Sequence, residues 1–224
     1  MNKYSYRILH EKILPIPSGS HYNSRKTRSE FVVRQFAPII KGRILDVGCF
    51  EKDLSAVLPE GVEYVGIDLY GNPDIKFDLE SGSLPFDNRS FDVVICVDVL
   101  EHLENIHFVF DELLRVSQKY VIIALPNCWH GNWRWILPWG SHTSGKYYGL
   151  PGDRPSDRHR WFFNTMEAVE FLEVKGKSNN AEIIMLDYII PQRTVKRFLL
   201  HIIFGRHFLN WAVSTVYAVF EKKY

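Results

Sequence analysis

An apolar run that ends in an acid and a glycine constrains this chain more than any other feature. Residues 42–48 read Gly-Arg-Ile-Leu-Asp-Val-Gly, the pattern of a buried strand that delivers the Asp46 carboxylate and a turn at Gly48 to a ligand. A second run, Tyr64-Val-Gly-Ile-Asp68, ends in another acid 22 residues after the first. That interval is about one strand, helix, strand unit, so both acids should arrive at the same edge of a parallel sheet. In open α/β sheets that edge is where nucleotide-like ligands bind.

The rest of the chain keeps the alternation going. Strands are expected over residues 43–47, 63–67, 75–77, 91–97 and 120–125, with helices over 53–58 and 106–116 between them. Residues 91–97 and 120–125 are apolar on both faces, as central strands covered from two sides must be. The expected architecture is a mostly parallel sheet with helices on both faces. Upstream, Pro15, Pro17, Gly19 and Asn23 break any long element. Ser24 or Ser29 then caps a helix through Ile39 whose Phe31, Val32, Phe36 and Ile39 share a face. Downstream, a helix over 164–174, a strand over 182–188, a helix over 194–208 and a last strand over 212–220 complete the chain.

With 224 residues the chain can bury one substantial core, and a single domain, residues 1–224, is expected, with an N-terminal arm and helix over 1–40. Its 27 Lys plus Arg balance 26 Asp plus Glu, so no global field argues for a nucleic-acid partner. Cys49, Cys96 and Cys128 have no paired spacing. This fits a reducing cytoplasm, and it argues against a disulfide framework or a thiolate metal site, so no metal is expected.

Taken in order, Ile44-Leu-Asp-Val-Gly-Cys49, Val65-Gly-Ile-Asp68, Phe77-Asp-Leu79, Leu84-Pro-Phe86 and Phe91-Asp-Val-Val-Ile-Cys-Val-Asp-Val-Leu-Glu-His102 resemble the class I S-adenosylmethionine-dependent methyltransferases. The resemblance covers roughly residues 40–127 and is similar in type to the small-molecule branch that includes the ubiquinone and menaquinone biosynthesis enzymes. It implies a Rossmann-like sheet of seven strands, the last antiparallel, and S-adenosylmethionine as cofactor with S-adenosylhomocysteine as product. By the same resemblance Asp46 and Gly48 lie beside the methionine half of the cofactor, Asp68 accepts hydrogen bonds from the ribose hydroxyls, Asp78 and Leu79 flank the adenine, and Cys49, Phe50, Leu69 and Val97 complete the cofactor-binding set. A strand-end carboxylate suits two ribose hydroxyls, because hydrogen bonds to a charged acceptor contribute about 1.5 to 3 kcal/mol each. The duller reading makes Asp46 a turn cap and Asp68 a solvated strand-end acid.

The chain departs from the family at the glycine loop, where Gly48-Cys-Phe50-Glu-Lys52 replaces Gly-x-Gly-x-Gly. Either the cofactor approaches past two side chains, or the turn is shaped differently. A nicotinamide dinucleotide site would want glycine at 48, 50 and 53, and only Gly48 matches. The departure also motivates a rival of another class, a catalytically silent scaffold that keeps the fold.

Candidates for acceptor chemistry fall in two places. Glu101 and His102 sit where the fourth strand meets the next helix, near the expected methyl group, in a catalytic or a capping role. The second place is a cap-like insertion over residues 127–163, which carries Trp129, Trp133, Arg134, Trp135, Tyr147, Tyr148 and the run Asp157-Arg158-His159-Arg160-Trp161. Trp129, Trp133, Arg134, Tyr148, Arg158, Arg160 and Trp161 are taken as substrate-pocket candidates, with a small aromatic subsidiary core as the alternative. His159, and more weakly His142, are candidate bases, and the two arginines beside His159 suit a carboxylate or phosphate. A solvated turn before the next helix accounts for the same run. No residue decides among oxygen, nitrogen and carbon acceptors.

The most hydrophobic tract, residues 198–220, is interrupted by His201, Arg206, His207 and Asn210 and is too broken to span a membrane. Phe198, Leu199, Ile202, Ile203, Phe204 and Phe208, with Lys196, Arg197 and Arg206 beside them, read as a core helix under the last strand. The alternative is an interfacial helix that collects a lipid-like acceptor from a membrane surface.

Overall fold

The computed structural model describes residues 22–130, 152–153, 157–190 and 207–223. Seven strands form one sheet: β1 (Arg43–Val47), β2 (Glu63–Asp68), β3 (Ile75–Lys76), β4 (Phe91–Val97), β5 (Ser117–Pro126), β6 (Ala181–Ile189) and β7 (Thr215–Lys222). Their spatial order is β3-β2-β1-β4-β5-β7-β6. The pairs from β3 through β5 are parallel. Strand β7 runs antiparallel to both of its neighbours. The order reverses between β1 and β4, and such a switch point opens a crevice outside the carboxyl ends of the strands.

Helices cover both faces because the central strands carry apolar side chains on both. On one face α1 (Arg25–Gln35) sets Phe31 and Val32, followed by Phe36, against Ile44, Ile95, Ile122 and Tyr217. On the other, α2 (Ile106–Val116) and α3 (Thr165–Ser178) set Phe110, Leu113, Val169 and Leu172 against Leu45, Val94, Val121 and Phe220. Burial of each such side chain contributes about 1.5 to 3 kcal/mol. A short α4 (Phe208–Ala212) precedes β7.

The helix starts are set by local chemistry. The Ser24 hydroxyl accepts from the Thr27 amide at 3.2 Å while the Thr27 hydroxyl accepts from the Ser24 amide at 3.2 Å. Asn164 accepts from Met166 and Glu167, and Glu167 accepts in return from the Asn164 amide at 2.8 Å. Each reciprocal cap satisfies amides that would otherwise lack partners and is worth about 1 kcal/mol. For α2, whose Asn105 side chain makes no capping bond, the Glu80 carboxylate accepts from the Glu104 and Asn105 amides instead.

The structure corrects several boundaries. Residues 53–58 form only a single 3-10 turn, Ser55–Val57, because Pro59 and Gly61 follow too closely for a full helix. The first helix stops at Gln35 rather than reaching Ile39, and β7 begins at Thr215 rather than 212, after α4. Most of the expected helix over 194–208, with its apolar face, lies outside the described residues. No helix among the described residues is long and apolar enough to cross a membrane.

Candidate active site

At the switch point a narrow, solvent-open cleft is lined by Asp46, Gly48 and Cys49 from the end of β1, by Val97 from β4 and by Arg25 and Arg28 from α1. Asp46 is buried at the floor and accepts a hydrogen bond from the Tyr64 hydroxyl at 2.8 Å. Burial pushes its carboxyl up to about 6, against the opposing pull of that hydroxyl and of Arg28. Burial likewise raises the Cys49 thiol to about 12, so Cys49 is a protonated, unreactive wall at neutral pH.

The loop after β1 retains the conformation that glycines would favour. Gly48 has φ 79°, and a Cβ there would meet the Val99 side chain at 2.2 Å. Phe50 and Lys52 also adopt positive φ, 47° and 59°. The turn is therefore not reshaped: two ordinary residues are held in the left-handed region at a cost of the order of 1 to 3 kcal/mol each. Neighbouring contacts offset that strain. The Phe50 amide donates to Asp68 at 2.8 Å, the Phe50 carbonyl accepts from Asn72 at 2.8 Å, and the Arg25 guanidinium stands 4.3 Å from the centre of the Phe50 ring. Lys52 pairs with Asp74 at 2.9 Å and holds that carboxyl below the usual carboxylate range.

Asp68 ends β2 and organises both loops, since its second oxygen accepts from the Tyr70 amide at 2.9 Å. A carboxylate offers about four acceptor positions, so two remain for a ligand. Leu69 is half-buried beside it. Asp78 lies in an exposed turn after β3 and accepts from the Glu80 amide, whereas Leu79 is buried in the core on the α2 side.

Glu101 and His102 occupy a 3-10 turn, Leu100–His102, just beyond β4. The run 157–161 lies across this turn. The Arg160 and Trp161 amides donate to the Glu101 carbonyl at 2.8 and 3.2 Å. The Trp161 indole donates to the Leu103 carbonyl at 2.6 Å, and Arg160 pairs with Glu104 at 2.7 Å. These contacts hold His159, 2% exposed, over Glu101, and the two imidazole rings of His102 and His159 meet edge to face at 4.5 Å. Arg160 and Trp161 thus anchor the strap, a role the sequence reading did not assign them. Arg158 and Trp129 are exposed, while Trp133, Arg134, Trp135, His142, Tyr147 and Tyr148 lie outside the described residues. Sequence reasoning passed over Arg25, Arg28 and Tyr64, although two arginines three apart after a capping serine share one helix face.

The comparisons with known proteins agree with this geometry. Residues 20–170 match the family model described as methyltransferase domain. The chain belongs to the class I S-adenosylmethionine-dependent methyltransferases. An uncharacterized methyltransferase of Mycobacterium sp. (strain KMS) is 30% identical over 127 residues, which are 52% of this chain and 48% of that one. The chain spans about half the length of the curated relatives it matches. Among solved structures, a SAM dependent methyltransferase from Archaeoglobus fulgidus superposes with a TM-score of 0.57 at 16% identity, covering 89% of this chain and 95% of that one. The magnesium protoporphyrin IX methyltransferase of Synechocystis PCC 6803, solved with bound SAH, gives 0.54 at 15% identity over 98% and 93%. These two likenesses concern the fold.

S-adenosylmethionine is the cofactor of this family, and the cleft suits it on its own terms. A buried acid that ionises near pH 6 and two arginines face one cleft, which fits a ligand end bearing both an ammonium and a carboxylate.

Proposed function

We propose that this protein transfers a methyl group from S-adenosylmethionine to a small-molecule acceptor. The carrying observation is the shared edge: Asp46 and Asp68 end adjacent parallel strands, one at the floor of the cleft and the other holding the loop beside it. In this reading Asp68 takes the ribose hydroxyls, and Asp46 with Arg28 orients the methionine end. Bound S-adenosylmethionine supplies a methyl already activated on a sulfonium. Much of what the protein adds is then alignment and exclusion of water.

Two observations support the enzyme reading over a silent scaffold. The loop at Phe50 and Lys52 keeps its left-handed turns, and Gly48 remains where a Cβ would collide with Val99. The near-balance of charges supports a small acceptor over a nucleic acid. Cys49, Cys96 and Cys128, each buried and without paired spacing, support a cytoplasmic setting. The test is incubation with methyl-labelled S-adenosylmethionine and a cell extract, followed by separation by size. Label is expected among small metabolites, and label confined to protein or nucleic acid would overturn the acceptor class.

A further inference from the structure

Glu101, His102 and His159 bring one ligand atom each to within 4.8 Å of one another at the end of β4. We propose that these three side chains bind a divalent transition-metal ion of the zinc or iron(II) class. The His102 ring is held in one tautomer. Its Nδ1 lies 3.2 Å from the Arg158 carbonyl and 3.1 Å from the Asp157 carboxylate, both acceptors, so Nδ1 carries the proton. In the neutral imidazole Nε2 then offers a lone pair, and it faces a Glu101 carboxylate oxygen at 3.6 Å. Such a facing pair is stable when the ring takes up a second proton or when a metal cation lies between the two groups.

The spacing suits a metal ion better than a hydrogen bond. His102 Nε2 and His159 Nε2 stand 3.6 and 3.8 Å from the same oxygen of Glu101, beyond hydrogen-bond reach. Two ligands at bond lengths of about 2.0 to 2.1 Å around a tetrahedral ion lie ~3.3 Å apart, close to these separations. Two imidazoles and one carboxylate form the donor set of open zinc and non-haem iron sites, which leave positions for water or substrate. The carboxylate or carbonyl on the far nitrogen of a ligating histidine is the usual outer partner in such sites, and Asp157 and Arg158 supply it here. Glu101 and His159 are each about 1% exposed at the side chain, while His102, at 25%, leaves an entry path.

The site lies on the same sheet edge as the cofactor cleft, since the Leu100–His102 turn follows β4, whose neighbour β1 ends in that cleft. A metal there would hold an acceptor through an oxygen, which favours hydroxyl-bearing acceptors. That consequence rests on the methyltransferase reading; the metal site itself does not.

The test uses the full chain, stripped with a chelator, then titrated with Zn²⁺ by calorimetry and with Co²⁺ by visible absorption. One equivalent per chain is expected, with ligand-field bands for Co²⁺. Asp157→Asn, at an exposed position, should weaken binding by about 10- to 100-fold, and His159→Ala should abolish the stoichiometric step. His207→Ala, at an exposed position outside the cluster, should bind as the parent does. Absence of Co²⁺ bands and Zn²⁺ heat in folded protein would overturn the proposal and leave His102 as an imidazolium against Glu101. Equal binding by all variants would also overturn it, by assigning the metal elsewhere. Metal binding without S-adenosylmethionine binding would contradict the methyltransferase reading and leave this site standing.

Discussion

The cofactor edge and the strap over Glu101 are built in opposite ways. At the cofactor edge the hydrogen bonds of the loop after β1 are short in sequence: the Phe50 amide reaches Asp68 across 18 residues, and the Tyr70 amide reaches the same acid across two. At the strap, His102 and Trp161 meet partners 56 and 58 residues away. One region is set largely within a contiguous strand, loop, strand stretch, with Arg25 and Val99 packed against it from outside. The other exists only once α3 and the strap close against the end of β4.

The largest expected effect lies at the local edge. Gly48→Ala combines a left-handed backbone with a Cβ that would stand 2.2 Å from Val99, whereas Gly61→Ala, at φ 82°, meets nothing within 4 Å. Left-handed strain costs about 1 to 2 kcal/mol and overpacking a further ~1 to 3 kcal/mol. Urea unfolding should therefore show Gly48→Ala losing about 2 to 5 kcal/mol and Gly61→Ala about 1 to 2 kcal/mol. Equal losses would mean that Val99 yields freely and that the turn is not tightly set.

Next in size is the pH dependence carried by Asp46. Its folded carboxyl titrates at about 6, above the ordinary value of 3.8. Between these values the folded state holds more protons than the unfolded chain, so stability falls as pH rises through the window. A shift of about two units corresponds to roughly 3 kcal/mol. Asp46→Asn should remove this slope, so the stability difference between parent and variant should change by up to ~3 kcal/mol from pH 4 to pH 7. A constant difference would show that Asp46 is more solvated than its burial indicates.

Legibility followed the same division. Asp46, Gly48 and Asp68 were readable because strand periodicity and the 22-residue interval place them without help from the rest of the chain. Strands β1, β2 and β4 followed for the same reason, and α2 was readable to the residue from its apolar face. The loop shape was not readable: Phe50 and Lys52 argued against left-handed turns, and only Asp68, Asn72, Arg25 and Asp74 explain how those turns are held. The strap was readable only in part. Arg160 and Trp161 look like ligand-binding groups in sequence, and their partners Glu104 and Leu103 are invisible without the tertiary contact. Cysteine spacing says nothing about the cluster proposed to hold a metal, which is made of histidine and glutamate.

Two smaller effects sharpen the contrast. Asp68→Ala removes both the anchor of the loop and the proposed ribose acceptor, and S-adenosylhomocysteine affinity should fall by about 10- to 100-fold, or ~1.4 to 2.7 kcal/mol. Lys52→Gly relieves left-handed strain while losing a partly exposed pair with Asp74, and its stability should stay within about 1 kcal/mol of the parent. A loss much above that would mean that the Lys52 pair, not the backbone of the loop, holds the cofactor edge together.

The most direct test of the central claim is titration of the purified chain with S-adenosylmethionine and S-adenosylhomocysteine, with Asp68→Ala alongside. The account predicts one site per chain, saturable at a Kd of ~1 to 100 μM, for both ligands, and markedly weaker in the variant. Absence of binding by either ligand in folded protein would contradict it, because the left-handed turns at Phe50 and Lys52 would then close the cleft that they are argued to shape.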